Sequence, residues 1–559
     1  MTLNYQPLPW RDRRFTSLCA LCLTCLAVVV TPEIARAQVF DERFDSWPVD
    51  LKLKGTILVA ETASVSPELL KTLGDTQKQS LVVFTNQAVA TNQAVTNVIA
   101  STYEPIFNEV KSCELTPDFQ YDASHAADVI AWHDVRTADA IPSQQLKQLE
   151  SWFRAHIEKG KTLLIFGPQA KILSKVFVAS IINQDPVIAT GMNLIPDCAL
   201  ETGFSISAPY KQQLLSVLAS HPRCVGIGLE KNTAILFRGR KVRVLGDGQA
   251  TFMLTANEHQ PVRVQTISND ASSRRQPEKS LVDLTEWRRD AIDRTLEPFP
   301  PEKPETPIVD NGTLIIVGGG GMPKGLMGQF VEAAGGVENA KLVYVPCEEE
   351  DVVSPEQGMV ASWKSMGVTN ASFLHTKDRV RANSDEAFLA PLKDATGIWF
   401  GGGRQWNLAD SYYGTLAHQM MKDVVRKGGV IGGSSAGASI QARYLARATP
   451  IENFKIMAPG YERGGLGFIS GVAIDQHFTQ RGRQPDMTQL VNRYPQLLGI
   501  GLDEATAITV KGSIAQVSGR GKVHFYDRTQ PVYPDRPDFV ALEDGQSYDL
   551  AKRQVIENR

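Results

Sequence analysis

Cysteine is scarce in this chain, with seven among 559 residues. Cys19, Cys22 and Cys25 fall in an apolar stretch near the N-terminus, which leaves Cys113, Cys198, Cys224 and Cys347 for the folded body. Four thiols in so long a body exclude a disulfide framework, and their spacings fit no metal site. Only Cys198 and Cys224 are candidates for a pair. The nine histidines are scattered without an H-E-x-x-H or similar arrangement, so neither a metal nor a cofactor is expected. An excess of one charge sign is also missing. The formal net charge is −3, which gives no reason to expect a nucleic-acid partner.

Long apolar runs are absent too, apart from residues 15–30, which are short for a membrane span. Arg11, Arg13 and Arg14 precede that run, and Ala35-Arg36-Ala37 follows it as a small-residue cleavage site. This is the pattern of an export signal. Residues 1–37 are therefore expected to leave the mature protein, which would act in the periplasm or the medium with no membrane partner. The Arg13-Arg14 pair fits a twin-arginine route.

What is present is a globular composition, 43% hydrophobic and 21% charged, in a chain long enough for two or three domains. Between about residues 53 and 267, apolar runs at 55–60, 80–84, 129–132, 162–166 and 224–228 alternate with helical stretches. Alternation of this kind predicts a mostly parallel sheet with helices on both faces. A polar stretch, a charged helix-like stretch at 284–296 and Pro298, Pro300, Pro301, Pro304 and Pro307 read as a linker over 268–309. A second strand–helix series opens at 312–317 and runs to about 523. The tail, 539–556, reads as a closing hairpin.

The two series match in order. Lys54-Gly55-Thr56-Ile57-Leu58 answers Asn311-Gly312-Thr313-Leu314-Ile315, and Val225-Gly226-Ile227-Gly228-Leu229 answers Leu498-Gly499-Ile500-Gly501-Leu502. Duplication is the reading these pairs favour, with 38–267 and 310–559 as the two copies.

The second copy contains Gly433-Ser434-Ser435-Ala436-Gly437, a G-x-S-x-G at the end of an apolar run, with a helix expected over 438–447. In a nucleophile elbow the glycines let strand and helix approach around a strained serine, and the next amide faces a developing oxyanion. That assigns Ser435 as nucleophile and the Ala436 N–H as an oxyanion donor. Gly402 and Gly403 end another strand and are candidates for the second donor, followed by Gln405 as a substrate contact. Asp475-Gln476-His477-Phe478-Thr479-Gln480-Arg481-Gly482-Arg483 concentrates an imidazole, two guanidinium groups and an amide after a further strand. Asp503 and Glu504 close the next one. Gly318 to Gly321 form a loop where backbone can approach a ligand, but they lack the spaced glycines of a dinucleotide fingerprint.

Together these stretches resemble the cyanophycinase and dipeptidase E family of serine peptidases, over about residues 310–556. The resemblance implies two tandem flavodoxin-like (class I glutamine amidotransferase-like) three-layer α/β domains with mostly parallel sheets. It also implies Ser435, His477 and Glu504 as the triad, with Glu452 the rival for the third place, and Gln405, Gln476, Arg481 and Arg483 lining a substrate pocket. The cyanophycinase branch cuts a polymer with a polyaspartate backbone and arginine on its β-carboxyls, releasing β-aspartyl-arginine. Glu348, Glu349, Glu350 and Asp351 would then meet the arginines. Where the family usually carries an acid, this chain has Arg404. A dipeptidase acting on small aspartyl peptides, and a binding protein that has lost catalysis, are the other readings. In the first copy the alignment sets Gln169 at Ser435, Gly203 at His477 and Lys231 at Glu504, so that copy is expected to be inert. It would take the place of a dimer partner within one chain, with a further homodimer still possible.

Overall fold

The computed structural model describes residues 44–557 apart from 62–66, 87–100, 116–125, 134–142, 184, 270–280, 355–357, 448 and 452–453. Among the described residues it is a mixed α/β molecule with four sheets. In the first half the larger sheet runs Leu281–Asp283, Lys241–Gly246, Thr233–Arg238, Thr56–Ala60, Thr162–Phe166, Val129–His133, Ser80–Asn86, Glu109–Leu115. From Thr56–Ala60 outward to Glu109–Leu115 all pairings are parallel, and on the other side they are antiparallel.

The second half builds its larger sheet in the corresponding order. Ser547–Asp549, Ile514–Gly519, Thr506–Gly512, Val309–Val317, Val430–Ser434, Gly397–Gly403, Lys341–Cys347 and Asn370–Phe373 follow one another, with Gln554–Ile556 added at the antiparallel edge. Each half also has a smaller sheet. One is Arg263–Ser268, Gln249–Leu254, Val225–Leu229, Cys198–Thr202, Val176–Ile182, Asp185–Thr190, and the other is Val540–Leu542, Val523–Tyr526, Leu498–Leu502, Ile469–Gln476, Ala442–Tyr444.

Strands buried on both faces read as continuous apolar runs, and alternate residues divide between two cores. In Val309–Val317, Leu314 and Ile316 face one core with Ile398, Ile431 and the smaller sheet's Ile474, Ile500 and Phe525. Ile315 and Val317 face the other, under Phe330 and Trp363 of the helices Leu326–Ala333 and Met359–Ser365. Packing of a second sheet on one face was not apparent from the apolar runs, which mark strands but not their partners.

Two sequence expectations change. The tail is not one hairpin, because Val540–Leu542 pairs with Val523–Tyr526 while Ser547–Asp549 pairs with Gln554–Ile556 in the other sheet. Within 268–309, Leu281–Asp283 is an edge strand of the first half's sheet, and Leu284–Asp293 is a helix capped by Asp283. That helix buries Trp287 and Ala291 in the first half's core and carries buried Arg288 and Arg289. Each of those arginines is close to an acid: Arg288 to Asp197 at 2.7 Å and Arg289 to Asp410 at 2.5 Å. Cys198 and Cys224 are buried free thiols.

Candidate active site

Strand Val430–Ser434 lies between Val309–Val317 and Gly397–Gly403, parallel to both. Directly after it Ser435 adopts φ 57°, ψ −112°, and the helix Ala436–Ser439 begins. A non-glycine residue in such a conformation costs roughly 1–3 kcal/mol, a strain that clusters at functional sites. The flanking glycines permit the turn. A Cβ on Gly433 would collide with the Gly437 carbonyl, and one on Gly437 with the carbonyl of Phe400. The helix does not continue to residue 447. Leu466 N–H takes the Ile440 carbonyl at 2.8 Å and Phe468 N–H that of Gln441 at 2.9 Å, and Ala442–Tyr444 pairs as a strand beside Ile469–Gln476.

The other two residues come from the smaller sheet. Ile469–Gln476 and Leu498–Leu502 are parallel, with Gln476 opposite Leu502. The chains leaving those ends therefore bring His477 and Glu504 together. His477 Nδ1 is 2.6 Å from Glu504 Oε1, and its Nε2 is 2.9 Å from Ser435 Oγ. With the carboxylate accepting from Nδ1–H, Nε2 is left to accept from the serine hydroxyl. His477 and Ala505, at φ 48° and 53°, are strained like Ser435. The Gly318–Gly321 run approaches these side chains closely. A Cβ on Gly319 would strike the His477 ring, and one on Gly320 the Glu504 carboxyl.

Burial pushes the His477 imidazole below its ordinary value; the Glu504 hydrogen bond opposes this, and the charges of Arg481 and Arg483 add to it. A base that acts when neutral loses activity as pH falls through its own pKa. The acid limb of kcat/KM is therefore expected below the ordinary histidine value of about 6.5. Arg481→Gln removes a neighbouring positive charge and should move that limb to higher pH. A pH–rate profile of the two proteins checks the sign, and an unmoved limb would remove Arg481 from the field acting on His477.

Of the oxyanion candidates, Ala436 opens the helix beside Ser435. A Cβ built on Gly402 would lie 3.5 Å from Ser435 Cβ, whereas one on Gly403 would lie 2.7 Å from the Cys347 carbonyl. Gln405 is buried, and its Nε2 donates to the Arg447 carbonyl at 2.9 Å. Arg483 is buried as well, donating to Asp475 Oδ1 at 2.8 Å and to Gln476 Oε1 at 2.5 Å. Arg481 and Arg404 are exposed. Glu452 lies outside the described residues.

Sequence reasoning missed three supports. Arg447 holds Asp475 together with Arg483, its Nη2 donating to Oδ2 at 2.8 Å. Asp503 accepts from Thr479 Oγ1 at 2.6 Å and from its N–H at 3.1 Å, bracing the turn after His477. Gln480 Oε1 accepts from the Glu504 N–H at 2.9 Å. Arg447 carried no signal at all; Asp503 was visible only as an acid beside Glu504.

The corresponding positions in the first half follow from the backbone. Gly167 N–H donates to the Ala60 carbonyl at 2.9 Å as Ser435 N–H does to that of Val317 at 3.0 Å, and Gly167 keeps a positive φ of 83°. Gly167, not Gln169, thus stands where Ser435 does. The alignment had matched Gly167 to Gly433, a glycine needed for close approach, whereas here the glycine takes the strained position itself. Thr202 pairs with Leu229 as Gln476 does with Leu502, which puts Gly203 (φ 65°) at His477 and Lys231 at Glu504.

A serine on a strained strand-to-helix turn, in line with an imidazole and a carboxylate, defines a serine hydrolase arrangement. Residues 310–518 match the model of Peptidase family S51. A cyanophycinase of Geminocystis herdmanii (strain PCC 6308) is 28% identical over 223 residues, spanning 40% of this chain and 81% of the relative. That of Trichormus variabilis (strain ATCC 29413 / PCC 7937) is 27% identical over 215 residues, spanning 37% and 70%. Among solved structures, a peptidase from an acI-B1 actinobacterium aligns at 24% identity with TM-score 0.32, over 44% of this chain and 98% of its own. The second half is thus similar to peptidase family S51 and to the cyanophycinases, and the chain is a serine-type peptidase.

Proposed function

We propose that the mature chain is an exported exopeptidase of cyanophycinase type, which hydrolyses an aspartate-backbone polymer to β-aspartyl-arginine through an acyl-enzyme on Ser435. The observation that carries this is the continuous line from Ser435 Oγ through His477 to Glu504, at 2.9 and 2.6 Å. His477 Nε2 takes the hydroxyl proton as Oγ attacks the substrate carbonyl carbon, while Glu504 stabilises the imidazolium. The oxyanion receives N–H groups from Ala436 and from the Gly402 segment; loss of one such donor costs about 3 kcal/mol. The departing amine takes the proton from His477. Water, deprotonated by the same nitrogen, then attacks the acyl carbon and frees Ser435.

Arg481, exposed beside His477, engages a substrate carboxylate, and the exposed Glu348, Glu349, Glu350 and Asp351 face the cationic arginines. Gln476 and Arg483 act together with Asp475 as the floor of the pocket. We read the first half as an inert copy in the position of a dimer partner. The matching strand orders favour that reading, as do glycine and lysine at all three triad positions.

Incubation of the protein with cyanophycin should release β-aspartyl-arginine, identified by mass. Absence of that dipeptide together with cleavage of small aspartyl peptides would select the dipeptidase, a reading favoured by the exposed cation Arg404 where the family's acid usually stands. A serine-reactive active-site probe should label one residue per chain, Ser435. A second labelled residue in the first half would end the idea of an inert copy.

A further inference from the structure

The contact between the two halves holds more buried positive charge than its acids neutralise. Asp410, on the helix Trp406–Tyr412, lies 2.5 Å from Arg240 Nη1 and 2.5 Å from Arg289 Nη1, both of the first half. Arg240 is shared with Asp283 at 2.9 Å. Arg379, only 1% exposed, has the Asp410 backbone carbonyl as its hydrogen-bond acceptor, 3.1 Å from Nη1. Burial and the neighbouring Arg289 charge push its guanidinium down to about 9. Among the described residues no carboxylate is paired with it.

Three guanidinium groups thus share two carboxylates, and guanidinium holds its proton in proteins. Among the described residues one positive charge is left over. Lys377 does not reduce the excess: its Nζ bonds to Asn407 Oδ1 at 2.9 Å and to the carbonyls of Asn407 and Glu348. Asp293, one turn on from Arg289, is 3.4 Å from Arg463, and burial pushes its carboxyl up to about 7.

The buried atoms without a hydrogen-bond partner on Arg289, Arg379, Trp47 and Trp406 are all donors. They are Nε and Nη2 of Arg379, Nε and Nη2 of Arg289, and both indole N–H groups. Arg289 Nη1 is engaged by Asp410 at 2.5 Å, which leaves Nε and Nη2 as its unmet donors. The indole of Trp47 is stacked 3.7 Å from Arg289 Cζ. An unpaired buried guanidinium is strongly destabilising, and a cluster of unmet donors with surplus positive charge has the chemistry of an anion site.

We propose that this contact binds one small monovalent anion, chloride or an ion of like size and charge, held by Arg379 and Arg289. Its ligands come from both halves, so the anion joins them.

Crystals of the full chain grown with bromide in place of chloride should show an anomalous peak within hydrogen-bonding reach of Arg379 and Arg289. In thermal unfolding at constant ionic strength, replacing gluconate by chloride should raise the melting temperature by several degrees and saturate. Arg379→Met should fold and lose that rise. The bromide experiment on the unaltered protein decides the matter if the variant does not fold. No anomalous peak, a protein carboxylate seated on Arg379, or an unchanged chloride response in a folded Arg379→Met overturns the proposal.

Discussion

Ser435→Ala should lower kcat by several orders of magnitude, on the order of 10⁶ by comparison with other serine nucleophiles, and leave the fold intact. The hydroxyl supplies the bond-forming oxygen, and its partner in the folded protein is the imidazole at 2.9 Å. Alanine at φ 57° carries much the same backbone strain as serine, so the turn gains little and loses little. Ser434→Ala should be mild, because Ser434 belongs to the regular strand, opposite Val317. Steady-state kinetics and melting curves of the pair give the answer. Equal losses in the two variants would place the nucleophile elsewhere.

Glu504→Gln is the second large effect. The carboxylate accepts from His477 Nδ1 at 2.6 Å, and an amide there can present its own N–H and select the wrong tautomer. In a well-known serine peptidase the corresponding change costs about 10⁴ in kcat, and the 36% exposure of the Glu504 side chain makes that an upper bound here. The acid limb of the pH profile should move down, since Glu504 raises the imidazole through its hydrogen bond and its charge. Glu452→Gln should be mild on both counts. A larger loss at Glu452 than at Glu504 would give it the third place.

The same two residues show how much of the site was legible in the chain. Ser435 was readable because the elbow is local: five successive residues impose a strained turn whatever surrounds them. His477 stood out through its neighbours, Gln476 and Arg481. Glu504 was singled out by resemblance, since an acid at a strand end has no distinctive local pattern. Arg447, the bracing role of Asp503 and the closeness of Gly319 to His477 were illegible, because each acts across sequence gaps that the pattern does not span. The shift from Gln169 to Gly167 has a related cause. Glycine serves both close packing and positive φ, and only the pairing of Gly167 with Ala60 shows which of the two is needed.

The sequence by itself determined the strand runs, the α/β class, the resemblance of the second half to known serine peptidases and the turn that carries Ser435. These follow from short-range patterns: apolar residues in strands buried on both faces, and glycines where backbone must crowd. Tertiary structure alone decided that a smaller sheet packs against each larger one, that residues 281–293 join the first half's core, and that Trp47 inserts beside Tyr413 of the second half at 4.4 Å. It also decided where the charges go. Arg240, Arg289 and Arg379 are buried around Asp410 because the two halves close over them. Burial and charge pairing depend on what the rest of the chain brings alongside, and no local pattern of residues contains that information.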